Sequence, residues 1–266
     1  FNITTREGKH NRWVILERLV RQNILTKHKY NNRYRRIEPN ANKLNWQEAD
    51  TSNTIDLVFP FGIQDYVKIF PKSVCVIVAP PNFGKTAYLY NFILDNMYHP
   101  LGIDLYNSDA GIEEVKDRFS TFGREIPNPA PFETFEHYDH FAEVIHPDHI
   151  SVIDYLDMNS EVYLAGEELE QIFRKLNKGI AIVAMQKKPN TKIFQNDYGY
   201  GGIFTVKKAR LYLSIDRSTA MPGYSILKIV KAKSWMNPEV NPNGMQFRFK
   251  LINGCKFIQI QRIDDL

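Results

Sequence analysis

Cysteine is scarce in this sequence, and long apolar runs are absent. Cys75 and Cys255 are the two cysteines among 266 residues, and both lie in apolar, strand-like stretches. Two such thiols fit a buried, reduced state, and they offer no zinc-ligand spacing. No apolar run is long enough to cross a bilayer, and no signal peptide is visible. We therefore expect a cytoplasmic protein (in the host cytoplasm if the gene is viral) with no membrane partner.

Net charge and chain length further limit the class of protein. The net charge of +4 is modest, so composition alone does not establish nucleic-acid binding, although residues 1–40 are plainly basic. A hydrophobic content of 43% is that of an ordinary globular protein, and 266 residues allow one large α/β domain with a small appendage. Because the sequence begins at Phe1 and not at Met, we expect it to be part of a longer protein.

Residues 1–38 predict a small basic segment of mixed α and β structure. Apolar residues recur at helical spacing over residues 11–22, and a short strand, a turn and a return strand follow. This order resembles the second half of a winged helix-turn-helix. The resemblance implies a helix in the major groove and phosphate contacts from the wing, here Arg33, Arg35 and Arg36. The alternative is a small packing appendage whose charges are simply solvated.

Residues 39–57 predict a linker, and residues 58–266 predict the main domain. The linker is polar, rich in Asn and without hydrophobic periodicity. Its Leu44 and Trp46 are candidates for docking onto a neighbouring subunit.

The main domain carries a phosphate-binding loop between an apolar strand and an apolar helix. The pattern is G-x-x-x-x-G-K-[ST], with an alanine at the position of the first glycine. Backbone amides and the positive end of the helix would bind phosphate, Lys85 would neutralise the β- and γ-phosphates, and Thr86 would offer its hydroxyl to Mg²⁺. The alternative is a chance Gly-Lys-Thr in a surface turn. The predicted ATP contacts are Ala79, Pro80, Pro81, Asn82, Phe83, Gly84, Lys85, Thr86 and Ala87.

Residues 149–157 carry the second strong signal. An apolar run ends in Asp154, which is the pattern of a strand buried on both faces with its acid at the carboxyl edge of a parallel sheet. Asp154 and Thr86 are therefore the predicted Mg²⁺ ligands. Further strands are predicted over residues 103–107, 179–186, 210–215, 226–230, 246–251 and 256–260. Asn253-Gly254 predicts a hairpin between the last two.

In their order, these motifs resemble the RecA-like P-loop ATPases, and in particular the DnaB-type replicative helicases and the KaiC-like group. The resemblance covers residues 59–257. It implies that Asp109, after the second strand, polarises the attacking water, although a Glu, longer by one methylene, is usual there. It also implies that Gln186 senses the γ-phosphate and that Lys231 and Lys233 reach the γ-phosphate of a neighbouring subunit. Helix capping by Asp109 and a plain strand end at Gln186 are the alternatives.

A basic and aromatic loop follows this glutamine. Positive charges for phosphate and rings for base stacking suit contact with a single strand, and in RecA-like motors the loops at this place line the DNA channel. An ordinary mobile surface loop is the alternative. The predicted contacts are Lys187, Lys188, Lys192, Tyr198 and Tyr200.

The predicted fold is α/β, with a mainly parallel twisted sheet, helices on both faces and antiparallel strands at the C-terminal end. The resemblance implies an ATP-dependent DNA helicase or translocase, in the style of a phage or mobile element. It would use ATP and Mg²⁺, act on single-stranded DNA and form a homo-oligomer, as a hexameric ring or a filament. Two alternatives stay open: a recombinase or helicase loader that does not unwind, and a KaiC-like regulatory ATPase that binds no nucleic acid.

Overall fold

The computed structural model describes residues 4–28, 33–37, 43–156, 164–191 and 196–263. The chain divides into two compact units, Phe1–Asp50 and Thr51–Leu266. Within the described ranges, no helix is both long and apolar enough to cross a membrane.

The first unit contains one long helix and a two-stranded hairpin. Helix α1 (Arg6–Arg21) begins after Thr5, whose hydroxyl accepts a hydrogen bond from the Gly8 amide at 3.1 Å. Strands β1 (Leu25–Lys27) and β2 (Tyr34–Arg36) pair antiparallel. The predicted helix and hairpin are both present, and the helix begins five residues earlier than the apolar pattern suggested, at 6 rather than 11.

One carboxylate joins the helix to the hairpin. Glu17 accepts hydrogen bonds from the Lys27 ammonium at 2.8 Å and from the Tyr34 hydroxyl at 3.0 Å. The arginines Arg33, Arg35 and Arg36 are exposed, so their charges face solvent, and their contact with nucleic acid stays a prediction. Residues 38–42, which span the predicted boundary between the basic segment and the linker, lie outside the described residues.

The second unit is built on a nine-stranded sheet with helices on its faces. Its strands are β3 (Ser73–Ala79), β4 (Ile103–Asn107), β5 (Glu133–Glu136), β6 (Ile150–Leu156), β7 (Ile180–Gln186), β8 (Leu211–Arg217), β9 (Ser225–Ala232), β10 (Gln246–Ile252) and β11 (Lys256–Ile263). Its helices are α2 (Lys85–Asn96), α3 (Ile112–Thr121), α4 (Phe141–Val144), α5 (Leu164–Lys175) and α6 (Ile203–Val206).

The strands lie in the order β11-β10-β9-β8-β3-β7-β6-β4-β5. The six neighbouring strands β8, β3, β7, β6, β4 and β5 pair in parallel. Strands β9, β10 and β11 then extend the sheet beyond β8 with antiparallel pairs. This architecture confirms the predicted α/β class, with its mainly parallel sheet and antiparallel C-terminal strands. In a parallel sheet the carboxyl ends of the strands share one edge, and Asp154 and Gln186 lie at this edge of the sheet.

Alternate residues of the central strand β3 enter two separate hydrophobic cores. Cys75 and Ile77 pack on the face covered by helix α2, and Val74 and Val76 pack on the face covered by helix α5. Because successive side chains of a strand point to opposite faces, a strand that is buried on both must be apolar throughout. Every residue of β3 is buried, as the continuous apolar run predicted.

Three short elements were not predicted, and one of them is the single-turn helix α4. Strand β5 extends the parallel sheet at its edge and is exposed along its length, so it carries no apolar run by which to recognise it. Helix α6 is a single turn that follows the glycines of the basic and aromatic loop.

Candidate functional site

The residues predicted to bind and hydrolyse ATP within one chain meet at the carboxyl edge of the sheet. Ala79, the last residue of β3, lies opposite Gln186, the last residue of β7. Next to β7 lies β6, which carries Asp154, and beyond it lies β4, which leads to Asp109. A cleft of about 500 Å³ opens there, lined by Pro81, Asn82, Gly84, Lys85, Thr86, Ala87, Tyr90, Asp109, Arg118, Thr121, Phe122, Tyr155, Gln186, Leu251, Asn253 and Gly254.

The loop between β3 and α2 depends on its glycine. Gly84 adopts φ 91°, in the left-handed region that disfavours residues with a Cβ, and it directly precedes the first residue of α2. A Cβ atom at this position would lie 3.1 Å from Leu251 Cδ2 and 3.5 Å from Phe257 Cε1. The glycine therefore allows both the tight turn and the close approach of the β10–β11 hairpin.

Lys85 is a buried cation at the floor of the cleft. Its ammonium group donates to the carbonyl oxygens of Ala79 and Pro80, at 3.3 Å each. Burial lowers the pKa of Lys85, and the carboxylates of Asp154 and Asp109 act against that shift. An anion entering the cleft would stabilise the charged amine and relieve this cost of burial.

Thr86 and Asp154 place a hydroxyl oxygen and a carboxylate beside that lysine. The Thr86 hydroxyl donates to Asp154 Oδ1 at 3.2 Å, although these residues come from different elements. Asp154 is buried, and burial raises its pKa to about 6, while Thr86, Arg118 and Lys85 act in the opposite direction. The carboxylate is thus ionised at neutral pH but poorly solvated, which favours binding of a cation.

Asp109 is held close to these groups by its neighbours in the chain. The Ser108 amide donates to the Asp154 carbonyl at 3.0 Å, and the Ser108 hydroxyl donates to the Tyr155 carbonyl at 2.8 Å. The Asn107 side chain contacts both the amide and the carbonyl of Ala110. These bonds join the ends of β4 and β6. Asp109 itself is exposed at the mouth of the cleft, which suits contact with a bound molecule.

Several residues of the cleft had no predicted role. Arg118, one turn before the end of α3, pairs with Glu114 and lies close enough to Asp154 to lower the pKa of that carboxyl. Tyr90 belongs to the apolar face of α2, and Tyr155 directly follows Asp154 in β6. No local pattern in the sequence marked the arginine of α3 as a residue of the cleft.

The tip of the β10–β11 hairpin closes one side of the cleft. Asn253 and Gly254 both have positive φ, as the Asn-Gly hairpin signal predicts. The hairpin is tied down because the Asn91 amide group donates to the Cys255 carbonyl at 2.9 Å, and the Cys255 thiol contacts the Thr121 carbonyl at 3.4 Å. No local pattern could reveal this closure, because the contacts join residues far apart in the sequence.

The residues of the cleft fit a nucleoside triphosphate with Mg²⁺. Hydroxyl and carboxylate oxygens, as on Thr86 and Asp154, are the protein ligands that Mg²⁺ takes, together with waters and phosphate oxygens. Among the residues that the structure describes, no group of three His, Cys, Asp or Glu side chains forms a complete metal site. A cation here would thus depend on ligands from a bound phosphate, and the buried Lys85 supplies the matching positive charge.

Three of the predicted ATP contacts do not line the cleft. Ala79 and Pro80 are buried, and they contribute the carbonyl oxygens that hold Lys85. Phe83 packs its ring against the core, with the Arg217 guanidinium 5.6 Å from the ring centroid. These residues shape the loop rather than face its contents.

The prediction that Lys187 contacts nucleic acid is wrong for this conformation. Its side chain is fully buried, and its ammonium lies 2.7 Å from Asp216 Oδ2 and 2.8 Å from the Ser214 hydroxyl. It also donates to the Asn196 carbonyl at 2.9 Å. The loop leaves the sheet only after this residue, so a lysine that the sequence placed on the loop becomes part of the interior.

The remaining loop residues have different settings. Lys188 and Tyr200 are exposed, whereas Tyr198 is half-buried and packs its ring edge-on against Tyr212, with centroids 6.4 Å apart. Tyr198 is therefore not an open stacking surface. Lys192 lies outside the described residues. The exposed pair keeps its predicted role as an expectation.

The two late lysines lie on β9 and just beyond it, at the end of the sheet away from the cleft. Lys231 is half-buried and donates to the carbonyls of Val206 at 2.5 Å and Lys207 at 3.3 Å. Burial, with the nearby charges of Lys233 and Arg210, lowers the pKa of Lys231 to about 8. Lys231 is therefore engaged within its own chain, contrary to the expectation that it reaches a neighbour, while Lys233 is exposed.

No protein-family model matches the sequence, and no curated protein matches it. Among solved structures, the chain is similar to one described as the crystal structure of the RadB recombinase. The match has 13% sequence identity, covers 69% of this chain and 90% of that chain, and has a TM-score of 0.46. A likeness this weak leaves the function to be argued from the cleft itself.

Proposed function

We propose that this chain is a RecA-like ATPase that hydrolyses ATP with Mg²⁺ in the cleft at the carboxyl edge of its sheet. The observation that carries the proposal is the convergence of a buried lysine, a threonine–aspartate oxygen pair and a second carboxylate on one cleft. These groups are Lys85, Thr86 with Asp154, and Asp109. They come from three different strand ends, and together they provide charge for phosphate, ligands for Mg²⁺ and a base for water.

Each residue has a part in the proposed reaction. Lys85 binds the β- and γ-phosphates, and Thr86 and Asp154 hold the hydrated cation. Mg²⁺, when bound, neutralises charge on the phosphate oxygens. Asp109 orients the attacking water and accepts its proton while the bond between the γ-phosphorus and the bridging oxygen breaks. Gln186, at the end of β7, lines the cleft and would contact the γ-phosphate.

We further propose that ATP hydrolysis drives a helicase or translocase that moves on single-stranded DNA. The support is the exposed Lys188 and Tyr200 on the loop that follows Gln186, which combine charge with a stacking ring. The exposed arginines of the first unit offer a second basic surface. A homo-oligomer, in a ring or filament, would bring Lys233 of one copy to the cleft of the next.

Two other functions follow from the same cleft. A recombinase or helicase loader would hydrolyse ATP and bind DNA without separating strands. A KaiC-like regulatory ATPase would hydrolyse ATP and bind no DNA. The loop that carries Lys188 and Tyr200 favours a DNA-dependent enzyme over the last of these.

The deciding experiment measures ATP hydrolysis with and without single-stranded DNA, in the wild-type protein and in Lys85→Ala. We expect hydrolysis to require Lys85 and to be stimulated by DNA. The paired variants Lys188→Ala and Tyr200→Ala should lose stimulation while keeping the basal rate. A Lys85-dependent rate that ignores DNA would favour the regulatory ATPase. Strand displacement on a forked duplex then separates a helicase from a recombinase or loader.

A further inference from the structure

The hydroxyl group of Tyr90 is buried beside the cleft without a hydrogen-bond partner. The side chain is 0% exposed, and among the described residues no group lies within hydrogen-bond reach of its oxygen. Such a group costs free energy, because it has lost its water and found no replacement. Buried polar groups are nearly always paired in folded proteins, so an orphan that borders a ligand cleft points to a partner that arrives with the ligand.

The helix directs this hydroxyl toward the catalytic groups. Tyr90 follows Thr86 by four residues on α2, so the two side chains share one face of the helix. Helical side chains lean toward the N-terminus, which carries the tyrosine toward the turn of Thr86. Its ring stacks on Phe119 with centroids 4.2 Å apart and planes 12° apart, which fixes its orientation.

Several charges around the hydroxyl belong to the proposed reaction. Burial raises the pKa of Tyr90, the carboxylates of Asp154, Glu114 and Asp109 raise it further, and Arg118 lowers it. The hydroxyl therefore stays protonated at neutral pH, and it lies within the electrostatic reach of Asp154 and Asp109. Tyr90, Arg118 and Asp109 line the same cleft, and Asp154 is buried.

We propose that Tyr90 is a further positioning residue for hydrolysis and that its hydroxyl holds the attacking water together with Asp109. This inference rests on the proposed ATPase function. The water donates one hydrogen bond to the Asp109 carboxylate and one to the Tyr90 oxygen, which turns a lone pair toward the γ-phosphorus. The water oxygen then bonds to phosphorus, the bond to the bridging oxygen breaks with its electron pair leaving on ADP, and the water proton passes to Asp109.

This arrangement also suits the short side chain of Asp109. The short Asp109 side chain holds a water less firmly on its own, and a second contact from the Tyr90 hydroxyl supports that water. The ring stack of Tyr90 on Phe119 keeps the hydroxyl in place.

Tyr88→Phe provides a matched control for Tyr90→Phe. The Tyr88 hydroxyl is also buried without a partner on the same helix, but Tyr88 packs against Phe61 and does not line the cleft. Both changes remove one oxygen and keep the ring, so both should raise the melting temperature if the hydroxyls are merely unsatisfied. We expect Tyr90→Phe alone to lower kcat, by roughly tenfold, with the KM for MgATP unchanged.

A binding measurement gives a readout that does not depend on turnover. Tyr90→Phe should bind MgADP as tightly as the wild type and should bind the MgADP–aluminium fluoride complex more weakly, in proportion to its loss of kcat. Combining Tyr90→Phe with Asp109→Asn should cost less than the product of the two separate losses, because both residues act on one water.

The outcomes separate the two levels of the proposal. A Tyr90→Phe variant with wild-type kcat and a raised melting temperature, like Tyr88→Phe, would overturn the role of Tyr90 and leave the ATPase intact. A wild-type protein that hydrolyses no ATP, or a Lys85→Ala variant as active as the wild type, would overturn the proposed function and this inference with it.

Discussion

Lys187 offers the sharpest test of how the loop after β7 is built. In Lys187→Met the side chain keeps an unbranched apolar stem but loses its charged end, so Asp216 is left as a buried carboxylate without its ion-pair partner. The wild-type contact is 2.7 Å long, and the lysine side chain is 0% exposed. Breaking a buried pair in this way costs about 3–5 kcal/mol in the free energy of unfolding.

Asp216→Asn in the same chain should recover part of this loss. The asparagine oxygen can still accept from the Asn190 amide, which donates to Asp216 Oδ1 at 3.2 Å, but the uncompensated charge is gone. We expect a coupling free energy of about 2–3 kcal/mol between the two changes. We do not expect the free energy of unfolding to recover fully, because the Asn196 carbonyl loses the Lys187 ammonium that donates to it at 2.9 Å.

Urea unfolding of the wild type, both single variants and the double variant measures these terms. Lys188→Met is the matched control, since the neighbouring lysine is exposed and its loss should stay within about 0.5 kcal/mol. For a unit of this size, the Lys187→Met loss corresponds to a fall in melting temperature of roughly 10 °C. If Lys187→Met were no more damaging than Lys188→Met, or if the double variant showed no coupling, the buried ion pair would be refuted.

Three further predictions concern the cleft. Burial raises the pKa of Asp154 from 3.8 to about 6, so without Mg²⁺ the free energy of unfolding falls as pH rises from 4 to 6. Asp154→Asn should therefore stabilise the protein at pH 7, by up to about 3 kcal/mol, and should not stabilise it at pH 4. Urea unfolding of both proteins at the two pH values measures this difference. Gly84→Ala places a Cβ atom on a left-handed backbone, 3.1 Å from Leu251. We expect the free energy of unfolding to fall by about 1–2 kcal/mol and the affinity for a fluorescent ADP analogue to fall as well. Unchanged affinity would contradict the proposed role of this loop. Asn91→Leu removes the hydrogen bond to the Cys255 carbonyl, so the free energy of unfolding should fall by about 1 kcal/mol and nucleotide affinity should weaken. Equal affinity in the variant and the wild type would show that the hairpin tip does not contact the nucleotide.

The sequence by itself determined the framework of the protein. The apolar run of β3, the Gly-Lys-Thr that follows it and the apolar run ending in Asp154 are local patterns, and each needs only its neighbours to be recognised. Because parallel strands bring their carboxyl ends to one edge, these patterns also predicted that Lys85, Thr86 and Asp154 would meet. The antiparallel C-terminal strands were readable in the same way, from short β-rich runs and an Asn-Gly turn.

Only the tertiary structure decided which side chains face the cleft and which are buried elsewhere. Lys187 reads as a loop lysine, but the acid that buries it lies on β8, beyond any local window. The hairpin tip at Asn253 covers a loop more than a hundred residues earlier in the chain, and Tyr90 reads only as one more apolar residue of α2. A sequence pattern shows which residues of one helix or strand are buried. The roles of Lys187, Asn253 and Tyr90 depend instead on the residues of other elements that pack against them.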